Sequence, residues 1–411
     1  MIVSKRMKDL GIFMSGLTYS PTDLSNKDEG ILVLRSSNIQ NGKLVYADNV
    51  YVNCHLDTNQ MVKENDVLIC SRNGSARLVG KTAIIPYGLK ATWGAFMMLF
   101  RPYKKNSNYL NYVFSSQIEK YKGMFSTSTI NQLTNSMLGN MFIDYEEDGN
   151  VQQRMVTYLD TKLSEIDHQV SLLTSKRDAY LRLKKSIINH AVTRGLNPNV
   201  KMKDSGIEWI GEVPEHWEVK RMKDICDYIS RGSTPDYVDE DYQKVMNQGT
   251  FSKGWIDESN IRYTKVGKSG AHIKKGDLLM ASTGGGVLGK ILYFDSIDEN
   301  YYADSHVTIM RNSKGINSMK FLFYHFSLRF DEINATMTKG STNQTELQRY
   351  ELLSHKVAIP PLPEQHAIAT YLDDKCAKID TIVSNFGKQI SRYADLKRSL
   401  IDEVITGKRA V

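Results

Sequence analysis

A chain of 411 residues is too long for a single hydrophobic core, and its length predicts two to four domains. Hydrophobic residues make up 41% and charged residues 24%, which is typical of a soluble globular protein, and no apolar run approaches the length of a membrane span. The formal net charge of +7 allows an acidic partner such as DNA without requiring one.

Cysteine usage and the N-terminus indicate a cytoplasmic protein. The four cysteines stand singly and form no CxxC pair, so we expect free, buried thiols in a reducing compartment. The first ten residues carry three basic side chains and no apolar segment of the kind that secretory signals contain.

In chain order, residues 1–150 form a strand-rich block, in which short β-like runs such as Ile31–Leu34 and Thr82–Ile85 are separated by Asn, Gly and Ser turns. Residues 151–195 form a long helix that ends near Gly195. Residues 196–357 comprise a linker and a second strand-rich block. Residues 358–411 contain a second long helix, which begins after the prolines of Ile359–Pro363.

The two halves repeat each other. Thr157-Tyr158-Leu159-Asp160 recurs as Thr370-Tyr371-Leu372-Asp373, a separation of 213 residues (370 − 157). At the same separation, 15 of the 37 positions from Thr157 to Thr193 are identical to their counterparts. Lys5–Asp9 likewise returns as Lys220–Asp224. Two tandem copies predict a fold with an internal pseudo-twofold axis and two similar binding surfaces.

Both long helices carry an apolar stripe with a heptad period, which we call the seam. We expect the seams to pair in an antiparallel coiled coil; the alternative is two unrelated amphipathic helices, each packed on its own globular block. The seam positions are Leu159, Leu163, Ile166, Val170, Leu173, Tyr180 and Ile187 in the first helix, and Leu372, Ile379, Val383, Phe386, Ile390, Tyr393, Leu400 and Val404 in the second. Lys184 and Lys397 interrupt both seams at the same point, where they either fix the register or extend to the seam edge.

Motifs for catalysis are weak. Gly284–Lys290 fits GxxxxGK, but Ile291 stands where a Ser or Thr must hold magnesium, and the following residues predict a strand instead of a helix. A turn between two strands is the better interpretation. The sequence shows no methyltransferase signature, no zinc-ligand set and no paired carboxylates with a suitable lysine for nuclease chemistry. We therefore predict neither a cofactor nor a metal site in this chain.

Several loops are rich in side chains that hydrogen-bond base edges or phosphates. Each could also be an ordinary hydrophilic loop. In the first copy the candidates are Arg35, Ser37, Asn38, Gln40, Arg72, Asn73, Lys81, Ser128, Thr129, Asn131 and Gln132; in the second they are Asn247, Gln248, Thr283, Lys290, Lys339, Ser341, Thr342, Asn343 and Gln344.

Three stretches of the sequence are distinctive: Ile359-Pro360-Pro361-Leu362-Pro363-Glu364-Gln365, Thr370-Tyr371-Leu372-Asp373 and Trp209-Ile210-Gly211-Glu212-Val213-Pro214-Glu215-His216-Trp217. Through these residues the chain resembles, over nearly its whole length, the specificity (S) subunit of type I restriction-modification systems. The first copy departs from the pattern, since no Ile-Pro-x-x-Trp lead-in precedes Lys5 and the first helix is entered through Asp144–Gln152 instead of Pro-Leu-Pro-Glu-Gln.

The resemblance implies an α+β fold in which two target recognition domains are joined by the paired helices. Each domain would recognise one half of a bipartite, asymmetric DNA site, and the helices would set the spacer and dock two modification (M) subunits. Those subunits would carry S-adenosylmethionine and methylate adenine, while restriction (R) subunits would use ATP and Mg. The chain itself would be a non-catalytic specificity subunit.

Two other hypotheses stay open at the level of sequence. One is a self-sufficient DNA-modifying enzyme whose site has no recognisable motif. The other is a coiled-coil interaction scaffold that does not bind DNA, which the modest net charge allows. Methylation of DNA by the purified chain would support the first hypothesis. A mobility-shift assay across salt concentrations would test the second, because the binding of a DNA-binding protein should weaken steeply as salt rises.

Overall fold

The computed structural model describes residues 2–104, 106–125, 132–207, 210–239, 242–265, 271–298, 300–340 and 345–411. The chain divides into two compact units. The first unit consists of Met1–Thr174 and Gly387–Val411, and the second unit is the continuous segment Ser175–Phe386. Each unit contains strands, short helices and parts of both long helices, so the expected α+β fold with two strand-rich regions and two long helices is confirmed.

The first unit contains twelve strands among the described residues. They are β1 (Ile2–Arg6), β2 (Gly11–Ser15), β3 (Leu24–Ser25), β4 (Ile31–Leu34), β5 (Ile39–Gln40), β6 (Lys43–Leu44), β7 (Val50–Val52), β8 (Val67–Cys70), β9 (Thr82–Ile84), β10 (Ala91–Trp93), β11 (Met97–Pro102) and β12 (Phe142–Glu146). Its helices are α1 (Ser107–Phe125), α2 (Asn135–Asn140), the first part of α3 (Gly149–Arg194) and the last part of the second long helix, from Gly387 onwards.

The described part of the second unit adds fourteen strands. They are β13 (Met202–Asp204), β14 (Glu212–Pro214), β15 (Glu218–Arg221), β16 (Tyr228–Arg231), β17 (Tyr237–Val238), β18 (Gln243–Met246), β19 (Arg262–Thr264), β20 (Leu278–Ala281), β21 (Ile291–Tyr293), β22 (Tyr301–Ala303), β23 (Val307–Arg311), β24 (Thr338–Lys339), β25 (Glu346–Leu347) and β26 (Lys356–Ile359). Its helices are the last part of α3, α4 (Met222–Ile225), α5 (Met319–Ser327), α6 (Phe330–Thr336), α7 (Arg349–Ser354) and the larger part of α8 (Leu362–Ile405).

The sheet topology of the first unit returns in the second. One sheet of the first unit has the order β2-β11-β8-β9, and all its pairs are antiparallel; its counterpart is β16-β23-β20-β21. The other sheet has the order β10-β4-β7-β3 with only β10 and β4 parallel, and its counterpart is β22-β18-β19-β17 with only β22 and β18 parallel. The β1–β12 ladder recurs as β15–β26. The tandem repeat seen in the sequence therefore extends to strand order and direction.

The central strands form because each is a short run of apolar residues buried on both faces. All four residues of β8 and all four of β20 are buried, as expected of strands covered on two sides. Each unit has two apolar clusters, one between the sheets and one between a sheet and the helices. These cores position the loops at the strand ends, where the predicted site residues lie.

A buried ion pair occurs at the same place in both units. Arg101 of β11 donates two hydrogen bonds to the Asp66 carboxylate before β8, with distances of 2.8 and 2.6 Å. Arg311 of β23 donates two to Asp277 before β20, both of 2.6 Å. Each carboxylate also accepts a bond from the backbone three residues earlier, which closes the turn into the strand. The bidentate geometry ties two neighbouring strands of each sheet together.

The predicted long helices agree with the structure to within two residues at their starts. The helix expected over residues 151–195 is Gly149–Arg194, and Gly195 follows it with φ of +74°, a left-handed conformation typical of a residue that ends a helix. The second helix begins at Leu362 and not after Pro363 as predicted; Pro363 stands in the first turn, where proline is tolerated. The GxxxxGK segment is a turn between β20 and β21, so no helix follows it, and it lacks the geometry of a phosphate-binding loop.

Candidate nucleic-acid interface

In the first unit, three of the predicted polar segments meet around one turn. Asn73 donates a hydrogen bond from Nδ2 to the Ser36 hydroxyl at 3.1 Å, which joins the loop after β4 to the loop after β8. Arg72 forms an isolated β-bridge with Gln132, which brings in the third segment. The Arg72 guanidinium lies 5.1 Å from the centre of the Phe96 ring. The cluster therefore combines amide, hydroxyl and guanidinium donors with an aromatic ring.

The turn that carries Phe96 is held by its backbone. The Phe96 carbonyl accepts hydrogen bonds from the backbone N–H groups of Ser71 and Arg72 at 3.0 and 3.1 Å, and from the Ser71 hydroxyl at 3.0 Å. A cavity of about 570 Å³ lies beside the turn, and its wall includes Tyr19, Arg35 and Phe96. Phe96 was not among the residues predicted from the sequence; the available signal was an aromatic residue in a turn between two apolar strands.

Some predicted DNA-binding side chains have internal contacts; the fully buried position of Asn38 contradicts its prediction, whereas that of Lys81 stays a prediction. Asn38 is fully buried, accepts a hydrogen bond from the backbone of Arg35 and donates to the Val45 carbonyl. Lys81 donates to the Ile39 carbonyl at 3.4 Å. Amide and ammonium groups that could bind DNA bind the neighbouring backbone here, because turns present many carbonyl groups that need donors.

The other candidates of the first unit are closer to the surface. Arg35 forms an ion pair with Asp48 at 2.7 Å, and part of its side chain remains accessible. Ser37 is half-buried, and its hydroxyl has no hydrogen-bond partner among the described residues. Gln40 is exposed in the β5–β6 hairpin. The first unit thus retains accessible polar groups beside the cluster around Phe96.

The second unit builds a related cluster from different side chains. Thr283, like Arg72, follows the buried strand, and its hydroxyl lies 2.7 Å from Nδ1 of His306. His306 occupies the turn before β23, as Phe96 occupies the turn before β11, and its carbonyl accepts a bond from the backbone of Ser282 at 2.8 Å. Thr283 forms an isolated bridge with Glu346.

The remaining candidates of the second unit divide between structural and accessible positions. Asn247 accepts bonds at Oδ1 from the backbone of Gly249 and Thr250, so its amide shapes a turn. Lys290 donates to the Ser252 carbonyl at 2.8 Å, the same role that Lys81 has in the first unit. Gln248 is half-buried and Lys339 is exposed in the β24–β25 hairpin. Ser128, Thr129, Asn131, Ser341, Thr342, Asn343 and Gln344 lie outside the described residues.

Each unit also contains an antiparallel pair formed by parts of α3 and α8. In the first unit, Leu159, Leu163 and Ile166 share a core with Leu400 and Val404. Val170 and Tyr393 pack against that core, while Leu173 and Ile390 are half-buried. In the second unit, Ile187 packs on the core that contains Leu372, Ile379 is buried, Val383 is half-buried, and the Tyr180 and Phe386 rings lie 5.8 Å apart.

The two lysines that interrupt the seams make the same contact in their own units. In the second unit, Lys184 donates to both carboxylate oxygens of Asp380 at 2.7 Å. In the first unit, Lys397 donates to Asp167 at 2.6 Å. Each pair joins α3 to α8, and each lysine and aspartate has its counterpart 213 positions away in the other copy (397 − 184 and 380 − 167). An ion pair across a seam favours one register between the helices.

Two further contacts, not predicted from the sequence, join short helices of the two units to the long helices. Tyr112 of α1 donates to Asp160 of α3 at 2.5 Å, and Tyr324 of α5 donates to Asp373 of α8 at 2.7 Å. Burial, together with the neighbouring carboxylate, raises the pKa of both tyrosines, so the hydroxyls stay protonated as donors. The repeated Tyr-Leu-Asp motif was the available signal, since its aspartates are these acceptors.

A buried glutamine positions the start of each long helix. Gln152 donates from Nε2 to the Glu146 carbonyl at the end of β12, and Gln365 donates to the Pro360 carbonyl just after β26. The two helix entrances differ in sequence, but the glutamine contact is the same. Glu364, present only in the second copy, adds bonds to His216 and Trp217 at 2.7 and 3.2 Å.

Metal binding, thiol chemistry and membrane crossing each require particular features of the described residues. The described residues contain no group of three or more His, Cys, Asp or Glu placed to hold a metal ion. The four cysteines are free, and burial raises the pKa of the Cys226 thiol to about 12, which makes it a poor nucleophile. None of the described helices has the length and apolar character that crossing a membrane requires.

Known proteins with related sequences share one description. The model of the type I restriction modification DNA specificity domain matches residues 214–386. The chain is 23% identical over 416 residues to the type I restriction enzyme EcoKI specificity subunit of Escherichia coli (strain K12), covering 96% of this chain and 86% of that protein. It is 22% identical over 414 residues to the type I restriction enzyme StySPI specificity subunit of Salmonella potsdam, with the same coverage.

A solved structure shares the fold. A chain from a study of complex assembly and conformational transition in a type I R-M system superposes with a TM-score of 0.74 at 14% identity. The match covers 99% of this chain and 98% of that chain. The architecture described above is therefore shared along the full length of the chain.

Proposed function

We infer that the chain belongs to the specificity (S) subunits of type I restriction-modification systems, and we propose that its two units recognise the two halves of a bipartite, asymmetric DNA site. The observation that supports this most strongly is one sheet topology present twice with different side chains at equivalent loops. Two domains with the same topology present their loops in the same way, and different side chains at equivalent loops recognise different bases.

The chemistry of the loops fits DNA. The accessible groups in the first cluster include the Arg72 guanidinium and the Gln132 amide, which are the side-chain types that bind guanine and adenine edges.

We further propose that catalysis resides in partner subunits. Two modification (M) subunits would dock on the paired segments of α3 and α8, carry S-adenosylmethionine and methylate adenine, and restriction (R) subunits would use ATP and Mg. The pseudo-symmetric Lys–Asp and Tyr–Asp contacts support two docking positions of similar shape. Such an assembly would act on DNA in the cytoplasm.

Methylation assays test this proposal. The purified chain with S-adenosylmethionine should not methylate DNA, and the chain with its M partner should methylate adenine at a two-part sequence. In a mobility-shift assay, binding should weaken steeply as salt rises. Methylation by the chain alone would favour a self-sufficient enzyme, and an absence of DNA binding in every complex would favour an interaction scaffold.

The long helices offer a test of the spacer. We propose that they set the number of base pairs between the half-sites, since α3 is one continuous helix of 46 residues. Inserting seven residues after Thr174 and seven after Phe386 keeps the heptad period and lengthens each helix by about 10 Å at about 1.5 Å per residue. Methylome sequencing should then show a spacer longer by about three base pairs at about 3.4 Å each. Altered bases within a half-site would contradict this.

A further inference from the structure

We propose that two rings, Phe96 in the first unit and His306 in the second, contact DNA bases and determine the sequence preference of the two half-sites. Phe96 would contact an apolar surface of a base, and His306 would hydrogen-bond a base edge. This inference rests on the proposed function and deepens it, because it names the side chains that make the two units read different sequences.

The two rings occupy equivalent positions. Phe96 immediately precedes β11 and His306 immediately precedes β23, the second strands of the equivalent sheets. Both backbone carbonyls accept a hydrogen bond from the serine that follows the neighbouring buried strand, at 3.0 Å from Ser71 and 2.8 Å from Ser282. The turn is therefore built in the same way twice, and the identity of the ring is what differs.

The Phe96 ring is presented outward at a rigid point. Its side chain is 58% exposed, although large apolar side chains are usually buried. The conformation of the turn does not depend on the ring, because three hydrogen-bond donors hold the Phe96 carbonyl. Arg72 lies over the ring, and Gln132 and Asn73 belong to the same cluster, so an apolar surface stands among groups suited to base edges and phosphates.

The surroundings suit a planar group with an apolar edge. The adjoining cavity of about 570 Å³ is within the size range of ligand pockets. Its wall combines apolar residues such as Leu17 and Met97 with polar residues such as Arg35 and Ser36. Two base surfaces share this chemistry: the 5-methyl edge of thymine and the face of an unstacked base.

His306 presents a different chemistry at the equivalent point. Its ring is exposed, and Nδ1 lies 2.7 Å from the Thr283 hydroxyl. With Nδ1 engaged by Thr283, Nε2 is the ring atom left to face a base edge. A hydrogen-bonding atom in place of an apolar ring predicts that the second half-site is selected by polar groups.

The experiment compares Phe96→Ala and His306→Ala in the complete complex with its M partner, by methylome sequencing. Phe96→Ala should weaken the preference for the original base at one or two positions of one half-site by about tenfold to hundredfold, and leave the other half unchanged. His306→Ala should affect only the other half. Tyr87→Ala is the matched control, because Tyr87 is also an exposed aromatic residue, with 87% of its surface accessible. It follows β9, and the end of β9 pairs with the start of β8, whereas Ser71 follows the end of β8. It should change neither half.

Two modified duplexes separate the possible base surfaces. Replacing a thymine by deoxyuridine in the first half-site removes only the methyl group; if Phe96 contacts it, wild-type binding weakens and Phe96→Ala binding does not change. If the ring stacks on an unstacked base, 2-aminopurine at an adenine position of the first half-site should change its fluorescence on binding of the wild-type complex and not on binding of the Phe96→Ala complex.

The outcomes distinguish this inference from the proposed function. If Phe96→Ala and His306→Ala complexes methylate the same sequences as wild type with the same preferences, the inference fails and the proposed function stands. The inference also fails if one variant alters both half-sites. If the wild-type complex shows no sequence-specific methylation, both fail.

Discussion

Replacing Arg311 by alanine should destabilise the second unit by about 3–5 kcal/mol, the cost typical of breaking a buried ion pair from one side. The Asp277 side chain is 1% exposed and loses both bonds from Arg311, which leaves its carboxylate with the single backbone donor of Lys274. The guanidinium also donates to the His272 carbonyl at 2.8 Å and lies over the Tyr228 ring, and these contacts disappear as well.

Hydrogen exchange followed by mass spectrometry is the appropriate assay, because a chain with two compact units need not unfold in one step. Peptides from β20 and β23 should lose about 3–5 kcal/mol of protection in Arg311→Ala. Arg101→Ala is the matched variant, since Arg101 and Asp66 form the same pair in the first unit, and its largest effect should fall on β8 and β11.

A double variant separates the charge from the packing. Asp277→Asn with Arg311→Met removes both charges and retains an amide oxygen to accept the bond from Lys274. Stability should return to within about 1–2 kcal/mol of wild type, because a matched apolar replacement of an ion pair is often nearly neutral. A loss below about 1 kcal/mol in Arg311→Ala, or no recovery in the double variant, would refute the reasoning.

Three further predictions follow from local contacts. Lys184→Asp should lower the free energy of unfolding by at most about 1 kcal/mol, because the Lys184–Asp380 pair is partly exposed. The charge-swapped double variant, Lys184→Asp with Asp380→Lys, should have the thermal stability of the wild type. Burial lowers the pKa of His355 to about 3. Between pH 6.5 and 3 the unfolded state therefore binds a proton that the folded state does not, and the free energy of unfolding falls by about 1.4 kcal/mol for each unit by which the pH falls. Urea unfolding of His355→Gln should show a weaker dependence of this free energy on pH. Maleimide at neutral pH should label half-buried Cys54 and leave Cys226 unmodified until the protein unfolds.

The architecture was accessible from the sequence because it depends on periodic patterns. The heptad stripe predicted both long helices to within a few residues, and apolar runs such as Ile31–Leu34 gave strands at their observed positions. The pairing of Lys184 with Asp380 was not predictable, because it depends on the relation between two segments distant in the sequence.

The candidate site was harder to predict, since the residue types that bind DNA also complete turns. Asn38 and Lys290 looked like DNA contacts, yet their polar groups bond to nearby backbone carbonyls. Neither Phe96 nor His306 belongs to the residue types selected as DNA contacts, which were Arg, Lys, Asn, Gln, Ser and Thr. Their equivalence appears only when the strand order of the two units is known. Side-chain type alone could not distinguish a surface donor from an internal one.

The division of the chain into one continuous and one discontinuous unit has a consequence for biosynthesis. The second unit is complete once residue 386 has left the ribosome, but the core of the first unit includes Leu400, Val404 and Ile405 from the segment made last. The core of the first unit therefore stays incomplete, with part of the apolar surface of residues 1–174 exposed, while more than two hundred further residues are translated. At roughly 5–20 residues per second, that interval lasts on the order of ten seconds or more, long enough for chaperones to engage the nascent N-terminal half.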